Sequence, residues 1–412
     1  MHSSMGPSVK QNSSLAAGID QISFYTSPYY LPLTLLAAQR GVDPNKYLVG
    51  LGQETMAVPA PDEDAVTLAA NAAHPLMHRS DPHRCDPQHI GLLLFATESS
   101  VDQSKAAGLF VHKLLKLPAR CQVIELKQAC YAGAAALRYA TRWAQDNPHK
   151  KALVLTADIA RYELNSPGEP TQGCGAVALL VSANPRVLAL DSSSGFYAQE
   201  VADFWRPNHK QEPIFDGKYS AKMYLTAAWN CWQHYTQQTQ RQLHQLARVC
   251  YHLPLTNMAC KAHAYLMTHI SSHKPNEAQL MQQIADTLPY NRLTGNTYTA
   301  SLFESLTCLL DRCQQDLGNQ RIGLFAYGSG CMGEFFSAVV QPHYKQHLLT
   351  NRHRKLLNNR TQIGYDTYEA WFNNRALQQG PDCTFAASHA GPFRLAAIKQ
   401  HKRIYVSQAP AL

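Results

Sequence analysis

The feature that most restricts how this chain can fold is a recurring apolar run of strand length. It appears as IGLLLFATE at Ile90 to Glu98, KALVLTADIA at Lys151 to Ala160, GAVALLVSA at Gly175 to Ala183 and RIGLFAYGSG at Arg321 to Gly330. None alternates polar with apolar residues, so each is predicted to be a strand covered on both faces. Amphipathic stretches such as SKAAGLFVHKLLKL and ALRYATRWAQD lie between them. That alternation predicts a layered α/β fold. The 412 residues suffice for two compact halves. Proline and asparagine near Ser182 to Pro185 mark a seam between them, which predicts halves spanning 18–185 and 186–412. Residues 1–17 are expected to be a mobile tail, because MHSSMGPSVKQNSSL lacks the apolar core of a signal peptide. The stretch YAQEVADFWRPNHKQEPIFDGKYSAKMY is predicted to be irregular and turn-rich, a place where polar side chains often line a site.

Charge and cysteine usage then narrow the classes of function. No apolar run approaches the roughly 20 residues needed to cross a bilayer, so no membrane span is expected. The 11 cysteines form no CxxC pair. That argues against a zinc module or disulfide framework and for a reducing, cytoplasmic setting. The net charge of +8 would suit a phosphate-bearing small molecule. Nucleic acid is not the expected partner, because no aromatic-interleaved motif accompanies the arginines. The group His74, His78, His83, Cys85 and His89 is broken by Pro75, Pro82 and Pro87 and lacks regular ligand spacing, so it reads as a loop rather than a metal site.

Four residues carry candidate chemistry. Cys130, in ELKQACYAGA, falls where a strand pattern gives way to a small-residue helix. Free N–H groups and the helix dipole at such a point favour thiolate, although a buried structural cysteine is the commoner occurrence. Glu98 ends an apolar strand, where open α/β folds place ligands, and burial there would raise its pKa into the range of a general base. A strand-end surface glutamate fits the segment equally well. His252 precedes Pro254 in CYHLPL, and Asn296 follows Gly295 in YNRLTGNTYTASL. Taken singly, these are an ordinary structural histidine and a turn asparagine. Together, a thiol, a carboxylate, an imidazole and an amide point to acyl transfer followed by carbon–carbon bond formation.

At these motifs the chain resembles the hydroxymethylglutaryl-CoA (HMG-CoA) synthases of the bacterial mevalonate pathway, members of the thiolase superfamily. The similarity runs in order through GIDQISFYTSPYY, VDPNKYLVGLGQETMAV, ATESSVDQSKAA, ELKQACYAGA, TADIARYELNSPGEPTQGCGAVALL, DFWRP, DGKYS, CYHLPL, YNRLTGNTYTASL and AYGSGCMGEFFS to LLNNRTQIGYDTYE. It implies a thiolase fold, five layers of α-β-α-β-α built from two similar halves, in a homodimer. It also implies condensation of acetyl-CoA with acetoacetyl-CoA, both substrates, with no resident cofactor and no metal.

By the same resemblance Cys130 carries the acetyl group as a thioester. Glu98 removes a proton from the acetyl methyl, His252 polarises the acetoacetyl ketone and Asn296 holds a substrate carbonyl. Ser329 and the Cys130 backbone N–H contribute to the oxyanion environment. Asp43, Thr171, Ser220, His252, Lys261, Asn296 and Ser329 contact substrate or CoA, Lys261 meets a CoA phosphate, and Tyr162 lines the acyl pocket. Two positions depart from the family pattern: Asn257 stands where lysine is frequent, and Ala300 replaces the usual glycine of the NxYTGSL run. A related reading is the polyketide β-branching synthase, which works on carrier-protein-bound β-keto substrates. A silent thiolase-fold binding protein is the third, and it has no physical need for those four groups together.

Overall fold

The computed structural model describes residues 16–77, 84–374, 380, 382–389 and 391–408. Its centre is a nine-stranded sheet. The strands, in chain order, are β1 (Gly18–Tyr25), β2 (Ile90–Ala96), β3 (Gln122–Leu126), β4 (Lys151–Ile159), β5 (Cys174–Ser182), β6 (Leu188–Ala198), β7 (Arg248–Tyr251), β8 (Arg321–Gly328) and β9 (Met332–Val340). Their spatial order is β3-β2-β4-β5-β1-β6-β9-β8-β7. The four apolar runs become β2, β4, β5 and β8, each ending within two residues of its predicted limit.

The order repeats. In the first half β1 lies antiparallel to the last strand β5, β5 antiparallel to β4, and β4 parallel to β2. In the second half β6 lies antiparallel to the last strand β9, β9 antiparallel to β8, and β8 parallel to β7. Only Gly18↔Ala189 and Ile19↔Leu188 join β1 to β6 across the middle.

Helices complete the layers. Between the two half-sheets lie α2 (Ala132–Asp146) and α5 (Ser301–Arg312). Outside them lie α1 (Ala65–Ala73) on the first half-sheet, and α3 (Gly217–Thr239) with α4 (Asn257–Ser271) on the second. The strands alternate accordingly. Leu92, Leu94, Val154 and Leu179 face the central core with Leu324 and Phe336. Leu93, Phe95, Leu155 and Leu180 pack beneath α1, while Val249, Tyr251, Phe325 and Phe335 pack beneath α3 and α4. Strands covered on both sides must be apolar at every position, which is why periodicity of two is missing from the sequence.

The stretch predicted to be irregular is so only in part. It contains a short pairing of Phe204–Trp205 with Ile214–Phe215, and its DGKYSAKMY portion opens α3. Asp216 caps that helix by accepting hydrogen bonds from the N–H groups of Lys218 and Tyr219 at 3.1 and 3.0 Å. This is the signal that a turn-rich composition conceals. The predicted tail falls almost wholly outside the described residues.

Candidate active site

Strand β2 ends at Ala96 and delivers Glu98 to the carboxyl end of the sheet. Cys130 sits just before α2. The Cys130 thiol donates to Glu98 Oε1 at 3.0 Å. Both side chains retain a solvent-facing fraction, yet protein surrounds them closely. Burial, reinforced by the charge of Glu98, pushes the thiol well above its ordinary value. Burial, reinforced by Asp158, raises the Glu98 carboxyl to about 7, against the hydrogen bond from Cys130 and the charge of Arg206. This corrects the expectation of a dipole-stabilised thiolate. Burial beside a carboxylate outweighs the helix N-terminus, so the resting thiol keeps its proton and Glu98 is the acceptor poised for it.

Asp158, buried at the end of β4, organises the surroundings of that pair. Its Oδ1 accepts from Glu98 N at 2.9 Å, Thr97 Oγ1 at 2.8 Å and Ser99 Oγ at 2.7 Å. Its Oδ2 accepts from Thr299 N at 3.0 Å and Thr299 Oγ1 at 2.5 Å. One carboxylate therefore ties the strand end bearing Glu98 to the segment following Asn296. The Arg206 guanidinium donates to the Glu98 backbone carbonyl.

The second half brings His252 and Asn296. His252 is buried at the end of β7, with Nδ1 lacking a partner, and burial lowers its pKa to about 3. It therefore presents a neutral imidazole, able to give or take one hydrogen bond but carrying no charge. The Tyr224 hydroxyl donates to the His252 carbonyl at 2.6 Å. Asn296 N donates to Thr171 O at 3.0 Å, and Asn296 Oδ1 accepts from Tyr298 N at 2.9 Å. Thr171 Oγ1 is turned back to Gly168 O at 2.7 Å. Tyr162 is buried against the rings of Phe215 and Phe204, and Phe204 meets Tyr298. Of these rings, Tyr162 and Tyr298 lie near enough to Cys130 and Glu98 to feel their charge.

Asp203 joins Ser220 to the hairpin segment that contains Ser329. That buried carboxylate accepts from Ser220 Oγ at 3.1 Å, Tyr327 OH at 2.8 Å and the N–H of Gly330, next to Ser329, at 2.8 Å. The β8–β9 hairpin presses on the cysteine turn. A Cβ on Gly328 would lie 2.5 Å from Gln128 O and 2.8 Å from Tyr131 N.

Asp43 and Lys261 are exposed. Asp43 Oδ1 accepts from Asn45 N at 2.9 Å. Asn257, one helical turn before Lys261, donates from Nδ2 to Val49 O at 2.7 Å and Gly50 O at 3.1 Å, and Asn257 N donates to Leu51 O at 3.0 Å. The side chain that replaces a lysine thus fastens the segment following Asp43 to the helix bearing Lys261. Ala300 is fully buried where α5 begins.

The family models for hydroxymethylglutaryl-coenzyme A synthase match most of the chain, the N-terminal model over residues 14–186 and the C-terminal model over 188–288 and 276–380. The chain belongs to the HMG-CoA synthase family. It is 39% identical over 359 residues to the hydroxymethylglutaryl-CoA synthase of Enterococcus faecalis, covering 87% of this chain and 92% of that protein. It is 31% identical over 380 residues to the polyketide biosynthesis 3-hydroxy-3-methylglutaryl-ACP synthase PksG of Bacillus subtilis, covering 88% and 89%. A solved structure of MvaS in complex with 3-hydroxy-3-methylglutaryl coenzyme A superposes with a TM-score of 0.88 at 36% identity, covering 95% of this chain and 99% of that one. The fold is accordingly the thiolase-like fold of HMG-CoA synthases.

In this family member, sequence reasoning passed over Asp158, Asp203 and Arg206 as functional residues. The first had a signal, a lone carboxylate at the end of the strand running beside the one that delivers Glu98. The other two lie in DFWRP, whose contacts with Glu98 and the β8–β9 hairpin are long-range and invisible to spacing. Of the histidine-rich loop, His78 and His83 lie outside the described residues. His74 packs edge-on against Phe393 at 5.5 Å. Among the described residues no group of three or more His, Cys, Asp or Glu is arranged to hold a metal.

Proposed function

We propose that this HMG-CoA synthase condenses acetyl-CoA with acetoacetyl-CoA and water to give (S)-3-hydroxy-3-methylglutaryl-CoA and CoA, in the mevalonate route to isoprenoids. The observation that carries this reading is the thiol of Cys130 held 3.0 Å from a carboxyl whose pKa lies near 7. In the first step Cys130 gives its proton to Glu98, and the sulfur attacks the acetyl-CoA thioester carbonyl. The CoA sulfur leaves and takes that proton back from Glu98, which regenerates the carboxylate, and acetyl-Cys130 remains.

The thioester keeps the acetyl methyl acidic enough for the Glu98 carboxylate to remove a proton. The enolate carbon attacks the ketone carbon of acetoacetyl-CoA. The new alkoxide takes the proton that Glu98 removed from the methyl, with the neutral His252 imidazole donating a hydrogen bond to that oxygen and Asn296 holding a substrate carbonyl. Water then cleaves the thioester to the Cys130 sulfur and frees the product.

Tyr162 lines the acyl pocket in this reading, and Thr171, Ser220 and Ser329 contact substrate. Asp43 and Lys261 belong to the CoA-binding set in this reading, and an exposed lysine is a flexible partner for a CoA phosphate. The reaction so drawn needs no resident cofactor. A cytoplasmic setting is supported by 11 free thiols, and by the lack, among the described residues, of any helix long and apolar enough to cross a membrane. A homodimer is supported by the open outer edge of β3 at the end of the sheet, a ready surface for pairing.

The test follows CoA release by purified protein from acetyl-CoA plus either acetoacetyl-CoA or acetoacetyl carrier protein, with Cys130→Ala as control. Cys130-dependent turnover of acetoacetyl-CoA is expected. Turnover only with the carrier protein would move the enzyme to polyketide β-branching, and silence with both would sink the synthase reading.

A further inference from the structure

Glu304, on the first turn of α5, is a carboxylate with no exposed surface. It reaches the turn that bears Asn296 from beneath. Thr294 Oγ1 donates to its Oε1, and Thr297 Oγ1 donates to its Oε2 at 2.8 Å. The two hydroxyls bracket Asn296 in sequence, so one carboxylate grips the turn on both sides.

That grip is needed because the turn is held in sparsely populated backbone conformations. Gly295 has φ +79, and a Cβ there would lie 2.0 Å from Gln172 O. Tyr298 has φ +44, unusual for a bulky side chain. Such conformations persist only where the surroundings over-determine them. Arg360 adds to the hold by donating from Nη1 to Leu293 O at 2.8 Å, and its charge faces the Glu304 carboxylate. The Arg360 guanidinium itself stacks over Tyr30 at 4.8 Å.

A bland role in packing fits poorly. A carboxylate buried against two neutral hydroxyls, its positive neighbour engaged elsewhere, costs more than an apolar side chain of similar volume in the same place. Burial accordingly raises its pKa to about 7. Leucine would fill the volume without that cost but could not hold two hydroxyls.

We infer that Glu304 is a positioning residue which, through Thr294 and Thr297, fixes the turn that aims the Asn296 amide at the second substrate. The inference rests on the synthase reading, since Asn296 acts there on the acetoacetyl step. Glu304 has no hydrogen bond to Cys130 or Glu98, so its loss is expected to weigh on condensation more than on acetylation.

Acetyl-Cys130 formation from labelled acetyl-CoA and kcat/KM for acetoacetyl-CoA are measured side by side in wild type, Glu304→Leu, Glu304→Gln and Thr297→Val. In Glu304→Leu acetylation stays within about twofold, while kcat/KM for acetoacetyl-CoA falls on the order of 10-fold to 100-fold, the usual result of a misplaced substrate-holding group. Glu304→Gln keeps an acceptor for one hydroxyl and a donor for the other, and recovers most of the loss. Thr297→Val, which severs one arm alone, falls between, and it decides the matter if Glu304→Leu fails to fold. Unchanged condensation in Glu304→Leu, equal loss of both half-reactions, or a glutamine variant as impaired as leucine would each overturn the role. Wild-type protein that acetylates but never condenses would instead overturn the synthase reading, and the inference with it.

Discussion

At the scale of single residues, Cys130 and Glu98 form one titrating unit, because each raises the cost of charge on the other. Removing Glu98 deletes the nearest base, yet it also deletes the negative charge that holds the thiol's pKa up. The two effects on thiolate supply oppose one another. Glu98→Ala is therefore expected to retain formation of acetyl-Cys130 and to lose condensation. The pH midpoint of Cys130 alkylation by iodoacetamide should move downward in the same variant. A midpoint that stayed or rose would mean that Glu98 does not burden the thiol, and condensation retained in the variant would contradict its role as base for the acetyl methyl.

His252 gives a second residue-level expectation. In the fold its pKa is lowered to about 3 from the ordinary 6.5. The unfolded chain therefore takes up a proton that the native state refuses, and stability falls as pH drops below about 6.5. Glu98 and Glu304 act with the opposite sign, since their raised values favour the fold in acid and weaken it as pH rises through about 7. A variant comparison separates them. Between about pH 7 and pH 4, His252→Gln should lose less Tm than wild type. A parallel loss in the two proteins would mean that His252 is protonated in the fold.

Among elements, the small residues that open α2 were readable from the sequence as a site of close approach, and the structure supplies the partner. A Cβ on Gly133 would lie 2.8 Å from Thr299 O and 2.9 Å from both Phe303 and Thr156. Helix α2 thus rests directly on the start of α5, and the seating of Cys130 depends on that spacing. Gly133→Val is expected to cost about 1–3 kcal/mol by overpacking, and to slow acetylation by lifting the cysteine turn. Chemical denaturation and acetyl transfer measure the two effects. Full acetylation in a destabilised variant would uncouple helix seating from the thiol.

The Asn257 clamp is also an element-level device. Asn257 secures the segment from Val49 to Leu51 against α4, and Lys261, proposed to meet a CoA phosphate, stands one turn further along the same helix. Asn257→Ala is expected to raise KM for acetyl-CoA, with kcat largely kept and the 45–52 segment cut faster by protease. Unchanged KM would leave the clamp without a role in substrate entry.

For the whole molecule, the central core decides what can fold alone. It takes Leu94, Ala136 and Leu179 from the first half and Leu306, Leu324 and Phe336 from the second. Residues 18–185 expressed by themselves would expose one side of α2 and of the half-sheet beneath it. That fragment is expected to be insoluble, or soluble without acetyl transfer to Cys130. A soluble, acetylating fragment would show that the first half is an independent unit.

The sequence by itself determined the strands that need cover on both faces, because unbroken apolar runs admit little else. It also determined which residue types could perform acyl transfer, since the motifs carrying Glu98, Cys130, His252 and Asn296 are local. Only the tertiary structure decided the ionisation of those groups. The thiol's pKa rises because burial and a carboxylate arrive together from distant strands, and that sum cannot be computed from a helix N-terminus alone. Asp203 and Glu304 were likewise invisible. Each acts by gripping segments far apart or across a turn, and a hydrogen bond between segments that meet only on folding leaves no spacing to read.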